Sequence, residues 1–363
     1  MVHSLCILGC GGFIGSHLLE RILQTTDWVV YGIDKTSEKI EHCLCNARFS
    51  FANIDVHDID EVRPYVEKSD VVISLVALCN PSYYNTVPIE VIDINFSHPM
   101  DVVRMCAELN TWLIHFSTCE VYGKTVHHLI DGRDDLVEHP EYLEFDEDRT
   151  PMILGPISAQ RWSYACAKQL FERALYAYGF ERDFPYTIVR PCNFIGPRMD
   201  YIPGIDGDGV PRVIACFMDS LMRSNALKLV DGGNARRSFT YIEDAIDAMM
   251  AILRHPKQAR KQIFNIGNPE NEVSIATLAH MMIDVYRELE PRARDAHFRI
   301  ESVSSETFYG PGYEDSDRRI PNITKARTLL GWEPKTDLQT TIKATITGFI
   351  EQYSDYLSVR EAS

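Results

Sequence analysis

The sequence predicts an α/β protein: a Rossmann-type, doubly wound parallel sheet carrying a smaller substrate domain whose segments are interleaved with it in the chain. Three observations predict this. Short, nearly unbroken apolar runs recur at Leu5 to Leu8, Trp28 to Ile33, Val71 to Ala77, Trp112 to Phe116, Tyr186 to Val189 and Ile263 to Ile266, the pattern of strands buried on both faces. Longer segments of helical period lie between them; in one, Ala167, Leu170, Phe171, Ala174, Leu175 and Tyr178 recur three and four residues apart before Gly179. Finally, Gly9-Cys-Gly-Gly12-Phe13-Ile14-Gly15 stands directly after the first run and before helical sequence.

A chain of 363 residues has room for about two domains. Regularity weakens after Pro191, Gly196 to Gly209 reads as a long loop, and the Ile263 run returns to the first sheet. Residues 1–193, with about 236–268, are therefore assigned to a dinucleotide domain, and 194–235 and 269–363 to the smaller one. Ser274 to Leu289 reads as a helix, Thr307 to Pro321 as a loop, and the acidic stretch Asp131 to Asp148 as a solvated insertion.

The formal net charge of −16 disfavours nucleic acid and anionic membrane surfaces as partners. No apolar run approaches the roughly 20 residues that cross a bilayer. Ten cysteines in this length fall below the density of a disulfide scaffold, and the first residues lack a basic stretch, an apolar region and a cleavage site. A cytoplasmic chain with reduced thiols is expected. Cys43-x-Cys45 is isolated and His127-His128 lies in a loop, so no metal is expected. Hydrolase and NTPase readings have no motif support, since there is neither a G-x-S-x-G elbow nor a Walker A lysine.

The glycine spacing is G-x-x-G-x-x-G on a strand-to-helix junction. Glycines allow close backbone approach to a pyrophosphate, and the helix N-terminus offers it unpaired N–H groups, so Gly9, Gly12, Phe13, Ile14 and Gly15 are assigned to cofactor binding. Asp34 ends the second strand about 20 residues on, where a carboxylate accepts hydrogen bonds from ribose and repels a 2′-phosphate. That favours NAD, although adjacent Lys35 could soften the repulsion. Asp55 is a candidate for the adenine, or an exposed turn residue.

Tyr164 and Lys168 stand four apart in helical sequence and share one face. A neighbouring ammonium is expected to lower the phenol pKa from about 10, letting phenolate take a hydroxyl proton as hydride leaves; lysine can also hold the nicotinamide ribose. Ser117-Thr118-Cys119-Glu120 follows the Trp112 run, at a strand's carboxyl end where open α/β sheets bind ligands, and Thr118 can bond the reacting hydroxyl.

On these motifs the chain resembles the extended short-chain dehydrogenase/reductase family over nearly its whole length. The resemblance implies tightly held NAD and a homodimer formed through helices. Gly155 to Tyr164, Arg190-Pro-Cys-Asn193-Phe-Ile-Gly-Pro-Arg198 and Asn265-Ile-Gly-Asn-Pro-Glu-Asn-Glu are similar to the branch of the family that decarboxylates UDP-glucuronate. Leu78-Cys79-Asn-Pro, Thr118 to Lys124, Trp162 to Lys168 and Met199 to Gly207 resemble its plant-type members, which give UDP-apiose and UDP-xylose. The bacterial lipid A members typically lack cysteine at the positions matching Cys79 and Cys119.

The resemblance implies oxidation at C4, loss of carbon dioxide to a UDP-4-keto-pentose, and then either reduction to UDP-xylose or retro-aldol ring contraction and reduction to UDP-apiose. It makes Cys79 and Cys119 proton-transfer thiols, Glu120 an acid/base and Arg161 a guide for the sugar or its carboxylate. Arg212, Lys228, Arg237 and Arg319 are placed around diphosphate and sugar, with Asn193 and Tyr313 as further donors. Arg236 and Arg318 adjoin two of these, so each arginine pair stays ambiguous. The alternatives are decarboxylation without contraction, a 4-epimerase or dehydratase, and a non-catalytic NAD-binding scaffold.

Overall fold

The computed structural model describes residues 2–126, 139–310 and 313–359. Seven strands form the main sheet: β1 Ser4–Leu8, β2 Val29–Asp34, β3 Phe49–Asn53, β4 Val71–Ser74, β5 Trp112–Phe116, β6 Tyr186–Pro191 and β7 Gln262–Ile266. Their order is β3-β2-β1-β4-β5-β6-β7, and every pairing is parallel. Succession reverses between β1 and β4, so a crevice opens at the carboxyl ends of β1, β4 and β5, where ligands bind in such sheets.

All five residues of β5 are buried, as unbroken apolar sequence requires. One face of the sheet packs Leu18, Ile22, Ile246 and Met249 from helices Phe13–Thr25 and Ile242–Arg254. The other packs Val62, Val103, Phe171 and Leu175 from helices Ile59–Val66, Pro99–Leu109 and Ser163–Arg182. A separate apolar cluster, including Ile214, Phe217, Leu278, Met282, Ile346 and Phe349, forms the smaller lobe from helices Val213–Arg223, Ile275–Leu289 and Leu338–Gln352.

Three expectations change. The edge strand β3 is not among the apolar runs, because Ser50 and Asn53 interrupt its apolar side chains. Helix Thr324–Leu330 packs with the sheet: Ile323, Ala326, Leu330 and Trp332 join its cluster, and the Trp332 indole donates to the Asp244 carbonyl at 2.9 Å. That part of 269–363 therefore sits with the dinucleotide domain. The acidic stretch is not wholly solvated either, since Phe145 is buried and stacked on Tyr122 and the Glu147 carboxylate accepts the Asn265 N–H at 2.8 Å. Its residues 131–138 lie outside the described residues, as do His127 and His128.

Candidate active site

The dinucleotide end is built mostly from backbone. Gly12 caps helix Phe13–Thr25, whose first turn has neither a capping side chain nor an acidic residue, so its N–H groups remain available to an anion. A Cβ on Gly15 would lie 2.2 Å from the Gly9 carbonyl oxygen, so any other residue would push the helix off the strand. Gly11, unassigned in the sequence, is equally constrained: its Cβ would meet the Thr36 carbonyl oxygen at 2.2 Å. Asp34 accepts from the Gly11 N–H at 2.9 Å and the Thr36 N–H at 3.1 Å, tying the turn to the end of β2. Phe13 and Ile14 begin the helix and stay partly open. Lys35 is drawn to the Asp55 carboxylate and so is not left to neutralise Asp34. Cradle, open helix start and unneutralised aspartate fit a dinucleotide with a free ribose diol.

The other end, where the sequence leads one to expect the sugar, is built from buried charge. Tyr164 and Lys168 lie on one face of helix Ser163–Arg182, both buried. Lys168 Nζ donates to the Phe116 carbonyl at 3.0 Å, pinning the helix to the end of β5, and burial pushes its pKa down to about 8. The Tyr164 phenol is not lowered as expected. Burial drives its pKa up, Cys79 and Glu120 add to the rise, and a hydrogen bond with Thr118 only partly offsets them. Tyr84, unnoticed in the sequence, stacks on Tyr164 with centroids 5.1 Å apart, and its hydroxyl donates to the Cys79 carbonyl at 2.9 Å.

Thr118 accepts the Glu120 N–H at 3.1 Å and so shapes the turn that presents Cys119 and Glu120. Cys79 is exposed in the loop after β4, whereas Cys119 is buried. A hydrogen bond with Cys192 lowers the Cys119 pKa against the effect of burial, and Arg319 and Arg237 assist. Cys192 is a further residue that the sequence motifs do not single out.

Around Glu120 the charges close a ring. Arg161, 1% exposed, donates Nη1 to Glu120 at 2.7 Å and Nη2 to Asp315 at 3.4 Å. Arg319 repeats the arrangement, with Nη1 on Glu120 at 3.3 Å and Nη2 on Asp315. Arg237 adds Nη2 to the other Asp315 oxygen at 2.7 Å, which the Tyr313 hydroxyl also reaches at 3.4 Å. The guanidiniums hold both carboxylates below their ordinary range despite burial. Asp315 is not legible from spacing, since an anionic substrate points to cations; its one signal is that three buried arginines need more than one counter-charge.

The two members of each arginine pair have different partners. Arg236 and Arg318 both bind Glu272, at 3.1 and 2.8 Å, outside the ring. Arg212 is held by Asp200 at 3.2 Å, its guanidinium 5.9 Å from the Phe13 ring, so it bridges the two lobes beside the glycine turn. The Asn193 amide donates to the Ser238 carbonyl at 3.1 Å. Lys228 is exposed on strand Leu227–Val230 and is not brought into the ring. Among the described residues no group of three or more His, Cys, Asp or Glu side chains is arranged to hold a metal, and no helix is long and apolar enough to cross a membrane.

Comparison with known proteins follows this geometry. Residues 5–267 match the NAD dependent epimerase/dehydratase family. The chain is 47% identical over 354 residues to the UDP-D-apiose/UDP-D-xylose synthase of Oryza sativa subsp. japonica, covering 95% of this chain and 88% of that protein. It is 46% identical to UDP-D-apiose/UDP-D-xylose synthase 1 of Arabidopsis thaliana, over 95% of this chain and 90% of that one. Among solved structures, the PbgP3 protein of Burkholderia pseudomallei superposes with a TM-score of 0.82 at 32% identity, over 99% and 98% of the two chains. The UDP-glucuronic acid 4-epimerase of Bacillus cereus, solved with UDP-glucuronic acid and NAD, shares the fold at a TM-score of 0.76, with 23% identity over 96% and 100%.

Proposed function

Since the chain belongs to the NAD dependent epimerase/dehydratase family and takes NAD as its cofactor, we propose that it converts UDP-glucuronate into UDP-xylose and UDP-apiose through a UDP-4-keto-pentose. The observation that carries this reading is the company of one phenol: Tyr164 is hydrogen-bonded to Thr118 and lies within electrostatic reach of Cys79, Glu120 and Cys119. A plain dehydrogenase needs only the first of these partners. Two thiols and a carboxylate beside the same phenol supply further proton transfers.

NAD, when bound, would supply the hydride acceptor for C4 and the hydride for the final reduction. The C4 hydroxyl proton passes to Tyr164 as the buried phenol gives up its own toward Lys168, which at about 8 is partly neutral near neutral pH, with Thr118 orienting that hydroxyl. The C4 ketone lies β to the carboxylate, so carbon dioxide leaves with its bonding pair delocalised into an enolate. Glu120, held by Arg161 and Arg319, faces the proton transfers at the reacting carbons. Cys79 and Cys119 move the hydroxyl protons that C2–C3 cleavage and reclosure require. Arg237 and Tyr313 complete the sugar side, Arg212 and Asn193 the diphosphate side, and Asp55 the adenine side.

The helix Ser163–Arg182 leaves Cys166, Leu170, Arg173, Ala177 and Phe180 exposed at three- and four-residue spacing. Phe180 is 82% exposed and Ile89, on an adjoining helix, 76%. Two-fold pairing of this face supports a homodimer. Ten free cysteines support a reducing, cytoplasmic setting.

The test is product analysis by NMR after incubation with UDP-glucuronate and NAD. A branched pentose, or its cyclic phosphate, supports the reading. Straight-chain pentoses alone would remove ring contraction, and no release of carbon dioxide would remove the whole.

A further inference from the structure

In the charge ring, Asp315 takes Nη2 of both Arg161 and Arg319, while Glu120 takes Nη1 of both. Among the described residues, the Nε of each of these buried guanidiniums has no hydrogen-bond partner. Nε and Nη2 form the edge by which a guanidinium grips a carboxylate through two parallel hydrogen bonds. On both arginines Asp315 therefore holds one prong of that edge and leaves the other free.

We propose that Asp315 is a positioning residue that denies Arg161 and Arg319 a two-pronged grip on the carboxylate of the bound sugar acid. The proposal rests on the reading of the substrate as UDP-glucuronate. In decarboxylation the bond between C5 and the carboxylate carbon breaks, the electron pair passes to C5 and into the C4 carbonyl as an enolate, and C5 later takes a proton. The negative charge thus leaves the carboxylate as the transition state is approached. A bidentate arginine clamp stabilises the charge where it starts, which tightens binding and slows the step. A single Nε–H bond orients the carboxylate with far less of that penalty. Charge balance agrees, because Arg161, Arg237 and Arg319 against Glu120 and Asp315 leave one net positive charge, matching one sugar carboxylate. Asp315 is itself held in place by the Ser316 N–H at 2.8 Å and by Arg237 at 2.7 Å.

The experiment compares the NAD-loaded parent with Asp315→Asn and Asp315→Glu. Titration calorimetry measures affinity for UDP-glucuronate relative to UDP, and single turnovers follow absorbance at 340 nm and release of carbon dioxide. Asp315→Asn is expected to bind UDP-glucuronate about 10-fold tighter relative to UDP and to release carbon dioxide about 100-fold more slowly, with oxidation at C4 changed less than about 3-fold. Absorbance at 340 nm then accumulates, and Asp315→Glu restores most of the parent's rate. If Asp315→Asn does not bind NAD, Asp315→Ser, which leaves room for water at the guanidiniums, is measured in its place. An affinity ratio that is unchanged or weakened, or two steps that slow together, overturns the proposal. A parent that releases no carbon dioxide overturns the functional reading first, and this step with it.

Discussion

The two ends of the cleft, proposed to take the dinucleotide and the sugar acid, are built by opposite means. At the dinucleotide end the partners are main-chain N–H groups at a helix start and one aspartate that braces the turn. At the sugar end they are three buried arginines held apart by two carboxylates. A backbone cradle depends on shape: it carries no net charge and fails when a methyl group is added. An ion ring depends on balance: each buried charge is tolerable only while its partners remain. The sugar end should therefore respond to lost charge, and the dinucleotide end to added volume.

The largest effect that would sharpen this contrast is at Glu120. Glu120→Ala leaves Arg161 and Arg319 short of a counter-ion in a buried site, which costs about 3 kcal/mol of stability, and it removes the group proposed to face the reacting carbons. Release of carbon dioxide is expected to fall at least about 1000-fold and the thermal midpoint to drop; a variant with the parent's midpoint would show that the ring does not support the fold. Next is Gly15→Ala, whose new methyl would crowd the Gly9 carbonyl. Its NAD dissociation constant should rise about 100-fold, as close backbone approach is lost, while affinity for UDP stays near the parent's. If both ligands weakened equally in calorimetry, the two ends would not be separable. Smaller again is Asp34→Asn, which keeps a side-chain oxygen for the Gly11 N–H and deletes the charge. The preference for NAD over NADP should shrink about 10-fold, as read from initial rates with each cofactor.

This division also explains what could be read from the sequence. The dinucleotide end is local: strand, glycines, helix and Asp34 fall within the first 34 residues, so period and spacing expose them. Tyr164 and Lys168 are likewise tied by one helical turn. The ion ring draws Glu120, Arg161, Arg237, Asp315 and Arg319 from distant segments, and no spacing rule joins them. Arg236 and Arg237 could not be told apart because neighbours in a strand face opposite ways, and which way is inward is a tertiary fact. The Cys119–Cys192 contact depends on β5 lying beside β6. Helix Thr324–Leu330 was assigned to the wrong lobe for the same reason: its two buried apolar residues, Ala326 and Leu330, suit either core.

The smallest effect separates the two ends by pH. Asp315 and Glu120 are held below their ordinary pKa by the arginines around them. A carboxylate depressed in the folded state contributes stability that is fully present above its unfolded pKa of about 4 and is lost as pH falls through the folded value. Asp315→Asn cannot lose what it no longer has. The gap in thermal midpoint between parent and Asp315→Asn should thus be constant from pH 7 to about 5 and narrow below pH 4, by the equivalent of about 1 kcal/mol. Gly15→Ala changes no titrating group, so its gap from the parent should stay level over the same range. A gap at Asp315→Asn that also stayed level would mean that its carboxylate draws no more from the arginines than water would supply, and the ring would reduce to a set of independent surface-like pairs.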